Sequence, residues 1–425
     1  MKKGLKCWGV RLLLGMLFCL VSCQSLSDGT VYALVSENNV SSDGRYTYNL
    51  YENGAVTLTG RRESGICLTV PDEIDGHPVT TIGARAFEGQ TDIGYVVIGK
   101  NVTRIGEGAF SGCVSLARVD ANAALRVIES DAFSGCASLS SVIGASGLQQ
   151  IGDNAFVQCV NLSVIDFPTT LESIGMQAFY GCTALPSAIL PDGIKEVGED
   201  AFAYCESLVR LDLGGLTAIS DNMFQRCTAL NSISLGKKVK TVGRNAFLGC
   251  SNLTYVNVSG SVTSIGYCAF EETAWMEAQK EEFVILGDGV LVKYNGEAQN
   301  VVVPDKVKYI SDAFSGNATV RSVRVGNRVR TVGEGAFEGC RALSEVILGA
   351  KVQTIEKNAF YRCTGLISVY LPKSLTFVAT GAFSGTDALA NVYYAGTSKS
   401  YSSIVREKGN EALNNSVIVS FEVKY

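Results

Sequence analysis

Residues 128–143 read I-E-S-D-A-F-S-G-C-A-S-L-S-S-V-I, and close copies of this stretch recur through most of the chain. The most regular feature of the copies is a Phe, usually preceded by Ala, that returns almost every 23 residues. The thirteen positions are Phe87, Phe110, Phe133, Phe156, Phe179, Phe202, Phe224, Phe247, Phe270, Phe314, Phe337, Phe360 and Phe383. A fixed period of this length predicts a repeat protein in which each repeat forms one turn of a solenoid.

The residues around each Phe indicate what one repeat contains. Ile or Val stands five residues before the Phe in twelve of the thirteen cases and is often followed by Gly. An apolar Leu-x-x-[Ile/Val]-x-[Leu/Val] stretch comes after the Phe, as in Leu162, Ile165 and Phe167. The second half of that stretch alternates with period two, which predicts a short strand. The segment up to Ala-Phe is too short for a full helix, so turns or 3-10 segments are expected there.

Together these features predict a β-rich solenoid, a leucine-rich repeat arc of about 13 repeats of 23 residues. We expect a parallel β-sheet on one face and short turns or 3-10 segments on the other. One coil of this length cannot bury its apolar side chains alone, whereas stacked coils share a continuous core, with strands spaced roughly 4.8 Å apart. A composition of 47% hydrophobic and 18% charged residues agrees with a core supplied by every repeat.

The repeat unit I-G-x-x-A-F-x-G-C-x-x-L-x-x-V-x-L resembles the BspA-like, Treponema pallidum-type leucine-rich repeats of bacterial surface proteins. The resemblance extends over about residues 66–395, and the flanking residues 46–60 and 392–396 are similar to the family's lead-in and C-terminal cap. It implies a cell-surface or secreted interaction protein, sometimes an adhesin, and it does not imply an enzyme.

This reading divides the chain into four segments, with one irregularity inside the repeats. We predict a signal peptide over residues 1–22, an N-terminal lead-in over 23–65, repeats over 66–389 and a C-terminal cap over 390–425. Residues 275–303 lack one Ala-Phe and instead contain a hairpin pattern around Gly-Asp-Gly. The insertion is either a decorated repeat that bulges from the arc, as related proteins often carry, or an added binding lobe.

The N-terminus carries an export signal. A basic segment precedes the apolar residues 12–20, which are too few to span a bilayer. Leu-Val-Ser-Cys at residues 20–23 resembles a bacterial lipobox, so we expect Cys23 to be lipid-modified, and Gln24 favours the outer membrane by analogy with the family. The alternative is an ordinary cleaved signal peptide in which Cys23 has no role. The expected location is therefore outside the cytoplasm, anchored by lipid in the outer membrane and exposed at the cell surface.

The charge balance is acidic. The formal net charge is −5, and removal of residues 1–22 takes away four cations and no acids, which leaves about −9. With no basic cluster recognised in the sequence, this argues against nucleic acid and against anionic lipid as partners. Membrane contact is then expected only through the lipid anchor.

Cysteines recur three residues after the Phe in nine repeats, which predicts a structural ladder inside the solenoid. They are Cys113, Cys136, Cys159, Cys182, Cys205, Cys227, Cys250, Cys340 and Cys363. Side chains stacked in one direction are poorly placed for disulfides, and no Cys-x-x-Cys pair suggests zinc. Cys67 and Cys268 lie off this ladder, so either would be the first candidate for a disulfide. In the related repeats this position resembles a buried polar ladder that satisfies backbone groups of the loops.

The sequence offers no constellation for catalysis. His77 is the only histidine and stands in a predicted turn, so a Ser-His-Asp or Cys-His arrangement would have to use it. No phosphate-binding loop, dinucleotide fingerprint or zinc-protease motif occurs. We therefore predict no enzyme, no cofactor and no metal site.

Function is expected on the exposed strand positions, which vary between repeats while the core stays fixed. The predicted binding face comprises Val97, Asp120, Ile143, Val164, Asp166, Ile189, Asp212, Tyr255, Arg324, Tyr370 and Tyr393. The aliphatic members with their neighbouring aspartates suggest one binding patch, and the tyrosines with Arg324 suggest another. Ordinary β-propensity could also account for the aliphatic residues. The favoured function is adhesion to a host matrix protein or another protein ligand, and the alternative is a glycan-binding or envelope-structural lipoprotein.

Overall fold

The computed structural model describes residues 23–25, 31–414 and 417–419, with side chains over residues 32–414. This part of the chain coils into a parallel β-solenoid of about 15 turns of about 23 residues each. The predicted β-solenoid is confirmed, and the segment predicted as a signal peptide lies outside the described residues. No helix in the described part of the chain has the length and apolar character needed to traverse a bilayer.

One face of the solenoid, called the wide face here, carries strands of two to four residues. In most repeats the strand follows the Leu that begins the apolar stretch after the Phe. These strands are Cys67–Thr69, Tyr95–Val97, Arg118–Asp120, Ser141–Ile143, Val164–Ile165, Ser187–Ile189, Arg210–Asp212, Ser232–Ser234, Tyr255–Asn257, Asn300–Val302, Ser322–Arg324, Glu345–Ile347, Ser368–Leu371, Asn391–Tyr394 and Val417–Val419. The middle residue of a strand such as Arg118–Asp120 is buried, and its two neighbours point away from the core. Each repeat therefore presents two side chains on this face.

The opposite face, called the narrow face, is not made of turns alone, because the Ile or Val before each Ala-Phe ends a second parallel strand. Most of these strands have two residues: His77–Ile82, Arg104–Ile105, Val127–Ile128, Gln150–Ile151, Ser173–Ile174, Glu196–Val197, Ala218–Ile219, Thr241–Val242, Ser264–Ile265, Tyr309–Ile310, Thr331–Val332, Thr354–Ile355 and Phe377–Val378. Coils approach closely just after them, since a Cβ on Gly152 would lie 2.5 Å from the backbone nitrogen of Ser130. This contact explains the recurring Gly.

The core between the two faces is organised around the Phe column. The rings of Phe110 and Phe133 stack with centroids 5.3 Å apart and planes inclined by 1°, and the other neighbouring pairs are similar. These rings are fully buried. Full burial of one such side chain contributes roughly 1.5–3 kcal/mol, so the column is a principal source of stability.

The wide-face sheet is interrupted at three places, two of them within the regular repeats and the third at the irregular segment described below. The strand Ser187–Ile189 pairs with the strand after it but not with the one before it. Pro186 stands directly before this strand and has no N–H to donate, whereas Val209, one coil later, donates its N–H to Pro186 O at 3.0 Å. The second interruption falls between the coils of Phe202 and Phe224, whose spacing is one residue shorter than the period.

Different structures close the two ends of the solenoid. The N-terminal end has the antiparallel strands Cys23–Ser25, Val31–Val40, Tyr46–Tyr51 and Val56–Arg61, together with Glu73–Ile74. The C-terminal end has the helix Ser398–Ser402, the strand Val405–Arg406 and the 3-10 helix Glu411–Asn414. Val56–Arg61 then pairs in parallel with His77–Ile82, so the terminal strands continue directly into the narrow face.

The irregular segment contains a helical turn, Ala274–Glu277, and a hairpin of strands Phe283–Leu286 and Val290–Tyr294. The second hairpin strand pairs in parallel with Tyr309–Ile310, so it takes the place of a narrow-face strand. We call residues 274–310 the junction, because the buried side chains before it and after it form two separate clusters.

Aromatic side chains of the junction replace the missing Phe of the column. Trp275 packs edge-on against Phe270 with centroids 5.4 Å apart. On the other side, the ring of Tyr294 lies 4.9 Å from that of Phe314. The hairpin thus continues the core of both halves, which is what a modified repeat would do.

Candidate interaction surfaces

The nine ladder cysteines lie in the core, and each thiol has a defined partner. Every Sγ donates a hydrogen bond to the carbonyl of the Phe in the preceding coil, as from Cys136 to Phe110 at 3.1 Å and from Cys205 to Phe179 at 3.3 Å. The same arrangement holds for the others. Burial raises the pKa of the Cys159 thiol to about 12, so it stays protonated. We therefore expect the ladder thiols to be unreactive in the folded protein.

The two cysteines off the ladder are also free thiols. Cys67 is exposed on the first wide-face strand, while Cys268 is half-buried beside Tyr267. Cys268 has a φ of 53° and occupies the position before Ala-Phe, where most other coils have Asn, Asp or Gly. Over residues 31–414 no group of acidic, His or Cys side chains is arranged to hold a metal ion.

In the N-terminal half, the wide face brings three of the predicted residues into one row. Val97, Asp120 and Ile143 are direct partners on neighbouring strands. The Asp120 carboxylate already accepts hydrogen bonds within the protein. Arg118 Nε donates to it at 2.6 Å, and the Tyr95 hydroxyl also donates to it. These hydrogen bonds hold the pKa of the Asp120 carboxyl below its usual value.

The remaining members of the N-terminal patch are more exposed but less continuous. Val164 is 49% exposed and Ile189 is 42% exposed, yet they lie on opposite sides of the sheet interruption at Pro186. Asp212 is the direct strand partner of Ile189. Asp166 follows the end of its strand. The aliphatic patch is therefore divided between two sheets.

In the C-terminal half, the wide face is a continuous six-stranded sheet. One row along it contains Val302, Arg324, Ile347, Tyr370 and Tyr393 in direct register. The two tyrosine rings stack with centroids 4.4 Å apart and planes inclined by 12°. We call these five residues the aromatic row.

Tyr255 does not join this group. It is 60% exposed on a separate two-stranded sheet, on the other side of the junction, where its strand partner is Ser232. The sequence grouped it with the other tyrosines by residue type alone. The structure therefore separates one predicted cluster into an aromatic row and an isolated tyrosine.

His77 lies on a strand at the N-terminal end, paired with Ile74. The neighbouring carboxyl of Asp75 accepts hydrogen bonds from the Ser42 backbone N–H and from the Tyr48 hydroxyl. Those bonds lower the pKa of Asp75, with Ser42 as the largest cause. Asp75 is thus occupied in holding the terminal strands together.

Sequence reasoning missed a cluster of cations on the turns that lead from the wide face to the narrow face. We call it the basic edge: Lys306, Lys308, Arg328, Arg330 and Lys351. The expectation that the chain has no basic cluster is wrong. The signal was present as D-K-V-K, N-R-V-R and A-K-V-Q at residues 305–308, 327–330 and 350–353, one repeat apart. Net charge hides such a cluster because it averages over the whole surface.

A partly buried polar group beside the junction was also missed. The Glu356 Oε2 atom accepts hydrogen bonds from the Tyr309 hydroxyl at 2.9 Å and from the Glu334 backbone N–H at 3.1 Å. Glu334 in turn lies 3.3 Å from the Arg244 guanidinium, which comes from the other half of the solenoid. Burial raises the pKa of both glutamates. Only the fold brings these coils together across the insertion.

A cavity of about 350 Å³ lies between the hairpin and the coil before it. The Asp312 carboxylate on its wall accepts hydrogen bonds from the Cys268 backbone N–H at 2.7 Å and from Ser311 Oγ at 3.0 Å. Burial raises the pKa of Asp312. Asp312 therefore accepts hydrogen bonds from residues on both sides of the hairpin, which agrees with a structural role at the junction.

Comparison with known proteins supports the repeat assignment. The model of a family described as BspA type leucine-rich repeat region matches in six copies, over residues 75–166, 149–276 and 292–407. These ranges together span more than half of the chain. No curated protein sequence matches.

Several solved bacterial structures are similar. A leucine-rich repeat protein from Bacteroides ovatus is 26% identical with a TM-score of 0.48, covering 82% of this chain and 81% of its own. A leucine-rich cell surface protein from Faecalibacterium prausnitzii is 25% identical with a TM-score of 0.43, covering 88% and 99%. The leucine-rich repeat protein of T. pallidum is 28% identical with a TM-score of 0.39, covering 51% and 91%.

Proposed function

The chain belongs to the BspA-type leucine-rich repeat family, whose members are typically surface-associated, and we propose that it is an adhesin. In this proposal it is displayed on the cell surface and captures a host matrix protein or a protein of another cell. Leucine-rich repeat domains generally mediate protein–protein interaction. Proteins of this family are typically binding scaffolds and not enzymes, and we extend that description to this chain.

The aromatic row is the observation that supports protein capture. Tyr and Arg are enriched among the residues that dominate binding energy in protein interfaces, and here they stand beside Ile347 in one register. The adjacent row of Asn300, Ser322, Glu345, Ser368 and Asn391 supplies a polar border. An aromatic and aliphatic strip with a polar border fits the anatomy of a protein-binding surface.

The same geometry disfavours a neutral glycan as the ligand of this row. A sugar ring packs best against the open face of an aromatic ring. The rings of Tyr370 and Tyr393 stack on each other at 4.4 Å, so one face of each ring is covered by the other ring. The Tyr side chain, apolar in its ring and polar at its hydroxyl group, suits the mixed contacts of a protein surface.

The test is capture of matrix proteins by the chain from Cys23 onward, measured against a panel of immobilised matrix proteins and against a glycan array. We expect Tyr370→Ser with Tyr393→Ser to weaken capture at least 10-fold, since loss of central interface residues costs about 2 kcal/mol or more. Tyr255→Ser is the matched control, because it removes an exposed tyrosine from a different sheet. Equal loss in the control, or binding to neutral glycans alone, contradicts the proposal.

The N-terminal aliphatic patch is tested separately by Ile143→Lys with Ile189→Lys. Unchanged capture in this variant, with loss in the tyrosine variant, assigns the partner to the C-terminal half. The opposite result assigns it to the N-terminal half and removes the aromatic row from the proposal.

Surface display is proposed to depend on lipid attached to Cys23, the residue that follows the lipobox-like Leu-Val-Ser. Several acyl chains, at about 0.8 kcal/mol per buried methylene, would hold the protein on the membrane. In cells fed a labelled fatty acid we expect the wild-type chain to carry label and to fractionate with membranes. Cys23→Ser should lose both properties; label retained by this variant would show that the anchor lies elsewhere.

A further inference from the structure

The cations of the basic edge form two columns across three neighbouring coils. Lys306, Arg328 and Lys351 occupy one column, and Lys308 and Arg330 occupy the other. Backbone bonds from Arg330 N–H to Lys308 O at 2.9 Å join adjacent coils within the second column. Because stacked strands are spaced about 4.8 Å apart, the charges repeat at that interval along the solenoid axis.

Most of these charges are not neutralised by the protein. Lys308 pairs with Asp288, whose Oδ1 lies 2.6 Å from its Nζ. Within residues 31–414, no carboxylate lies within 4.0 Å of Lys306, Arg328, Arg330 or Lys351. Each of these four side chains is exposed. Elsewhere on the surface, cations such as Lys195 pair with a carboxylate of the next coil.

The basic edge borders a groove rather than a flat surface. A cavity of about 490 Å³ is lined by Lys308, Arg328, Arg330 and Lys351, with Asp288 as its one acidic wall residue. Asp288 belongs to the turn of the junction hairpin, whose flanking Gly287 and Gly289 both have positive φ. The modified repeat therefore supplies one wall of the groove and orients Lys308.

We propose that the basic edge binds a linear anionic glycan that carries sulfate or phosphate esters. Regularly spaced cations along one axis match a polymer with regularly spaced anions, and release of bound counterions drives such association. Two arginines add bidentate hydrogen bonding to sulfate or phosphate oxygens. This site goes beyond the protein capture proposed above, since it lies on a different surface and uses different residues.

The groove is less suited to nucleic acid. Proteins that bind single strands place aromatic rings where successive bases can stack. Tyr309 is the aromatic residue in this groove, and its hydroxyl is directed to Glu356 at 2.9 Å while burial raises its pKa. Without exposed ring faces, the site offers contacts to ester anions and not to bases.

The test measures binding of the chain from Cys23 onward to a size-defined heparin fragment and to a phosphorylated dextran of similar length, at several salt concentrations. In Arg328→Gln/Arg330→Gln/Lys351→Gln we expect affinity for the preferred polymer to fall at least 10-fold. The slope of log affinity against log salt should fall by about 2 for three lost contacts. The polymer bound more tightly by the wild type distinguishes sulfate from phosphate as the ester recognised.

The control is Lys100→Gln/Lys195→Gln/Arg226→Gln, which removes the same total charge at exposed cations of the N-terminal half. Equal weakening in the control would mean that only net charge matters and would overturn the site. Tighter binding of single-stranded DNA than of either glycan would also overturn it. Melting temperatures of both variants show whether the fold is intact. The variant Tyr370→Ser with Tyr393→Ser should bind the polymer as tightly as the wild type. The proposal for the basic edge and the proposal for the aromatic row can therefore be contradicted separately.

Discussion

At the scale of single residues, the most conspicuous side chains are the least reactive. The ladder thiols combine complete burial with a hydrogen bond to a Phe carbonyl one coil earlier. A thiol whose pKa is raised to about 12, as in Cys159 and Cys250, is almost entirely protonated at about pH 8. Alkylating reagents attack the thiolate, so both access and ionisation protect the ladder.

We therefore expect iodoacetamide to label the native protein mainly at Cys67, the exposed thiol. After unfolding in guanidinium chloride, the nine ladder cysteines should also become labelled, as read by peptide mass spectrometry. Comparable native labelling of Cys182 and Cys67 would show that the core opens far more readily than its packing indicates.

The second residue-scale prediction concerns the partly buried Glu356. Burial raises its pKa above the ordinary value of 4.5, so the folded state retains a proton that the unfolded chain releases. Stability from this group is complete below about pH 4.5 and is lost as pH rises through the folded-state pKa. In Glu356→Gln, the amide oxygen can accept both hydrogen bonds without ionising.

The melting temperature of Glu356→Gln should accordingly fall less than that of the wild type between about pH 5 and about pH 8. Glu297→Gln is a suitable control, because Glu297 is exposed in the loop after the hairpin. An unchanged pH dependence in Glu356→Gln would mean that other groups govern the titration.

At the scale of elements, the junction hairpin decides whether the two halves behave as one unit. Val290 and Val292 pack into the N-terminal core, whereas Leu291 and Tyr294 pack into the C-terminal core. In a solenoid a coil packs mainly against its neighbours, so one weakened interface can separate the halves thermodynamically. The Arg244–Glu334 ion pair is an additional link between the two halves.

Leu291→Ala should cost about 3 kcal/mol, within the usual range for a fully buried Leu. We expect this loss to split urea unfolding into two transitions. In the chain from Cys23 onward Trp275 is the sole tryptophan, so its fluorescence reports the junction while far-UV circular dichroism reports the whole solenoid. The two midpoints should coincide in the wild type and diverge in Leu291→Ala; coincidence in the variant would show that the halves are coupled elsewhere.

The elements also show what the sequence could and could not predict. The period and the Phe column could be predicted because the Phe recurs almost every 23 residues. The wide-face strands could be predicted because their apolar residues alternate with period two. The narrow-face strands were missed, since two residues such as Gln150–Ile151 are too few to alternate. They exist because neighbouring coils place their backbone groups in register, which is a tertiary effect.

The candidate surfaces could also be predicted only in part. Residues one period apart on adjacent coils, such as Tyr370 and Tyr393, could be assigned to one row by counting. Counting could not show that Pro186 interrupts the aliphatic patch or that Tyr255 stands alone. The basic edge was readable by the same counting and was missed because net charge was considered instead of charge per position.

At the scale of the whole molecule, surface charge is distributed unevenly. The chain is acidic overall, with a net charge of −5, yet its C-terminal half presents five cations along one edge. The aromatic row and the basic edge both lie in that half, on adjoining parts of the same coils. A large partner could contact both. If the protein is anchored through Cys23 as proposed, the N-terminal half would act chiefly as a spacer between these surfaces and the membrane.

The direction of the hydrogen bonds between coils has a mechanical consequence. On both faces these bonds run from one coil to the next, along the axis that joins the two ends of the solenoid. If the N-terminus is anchored and a partner is captured as proposed, a pull between them therefore loads one interface at a time, by peeling and not by shear. Each released coil would lengthen the tether by about 75 Å. Under load, the protein would then lengthen in steps, and each step would lower the tension on the bond to its partner.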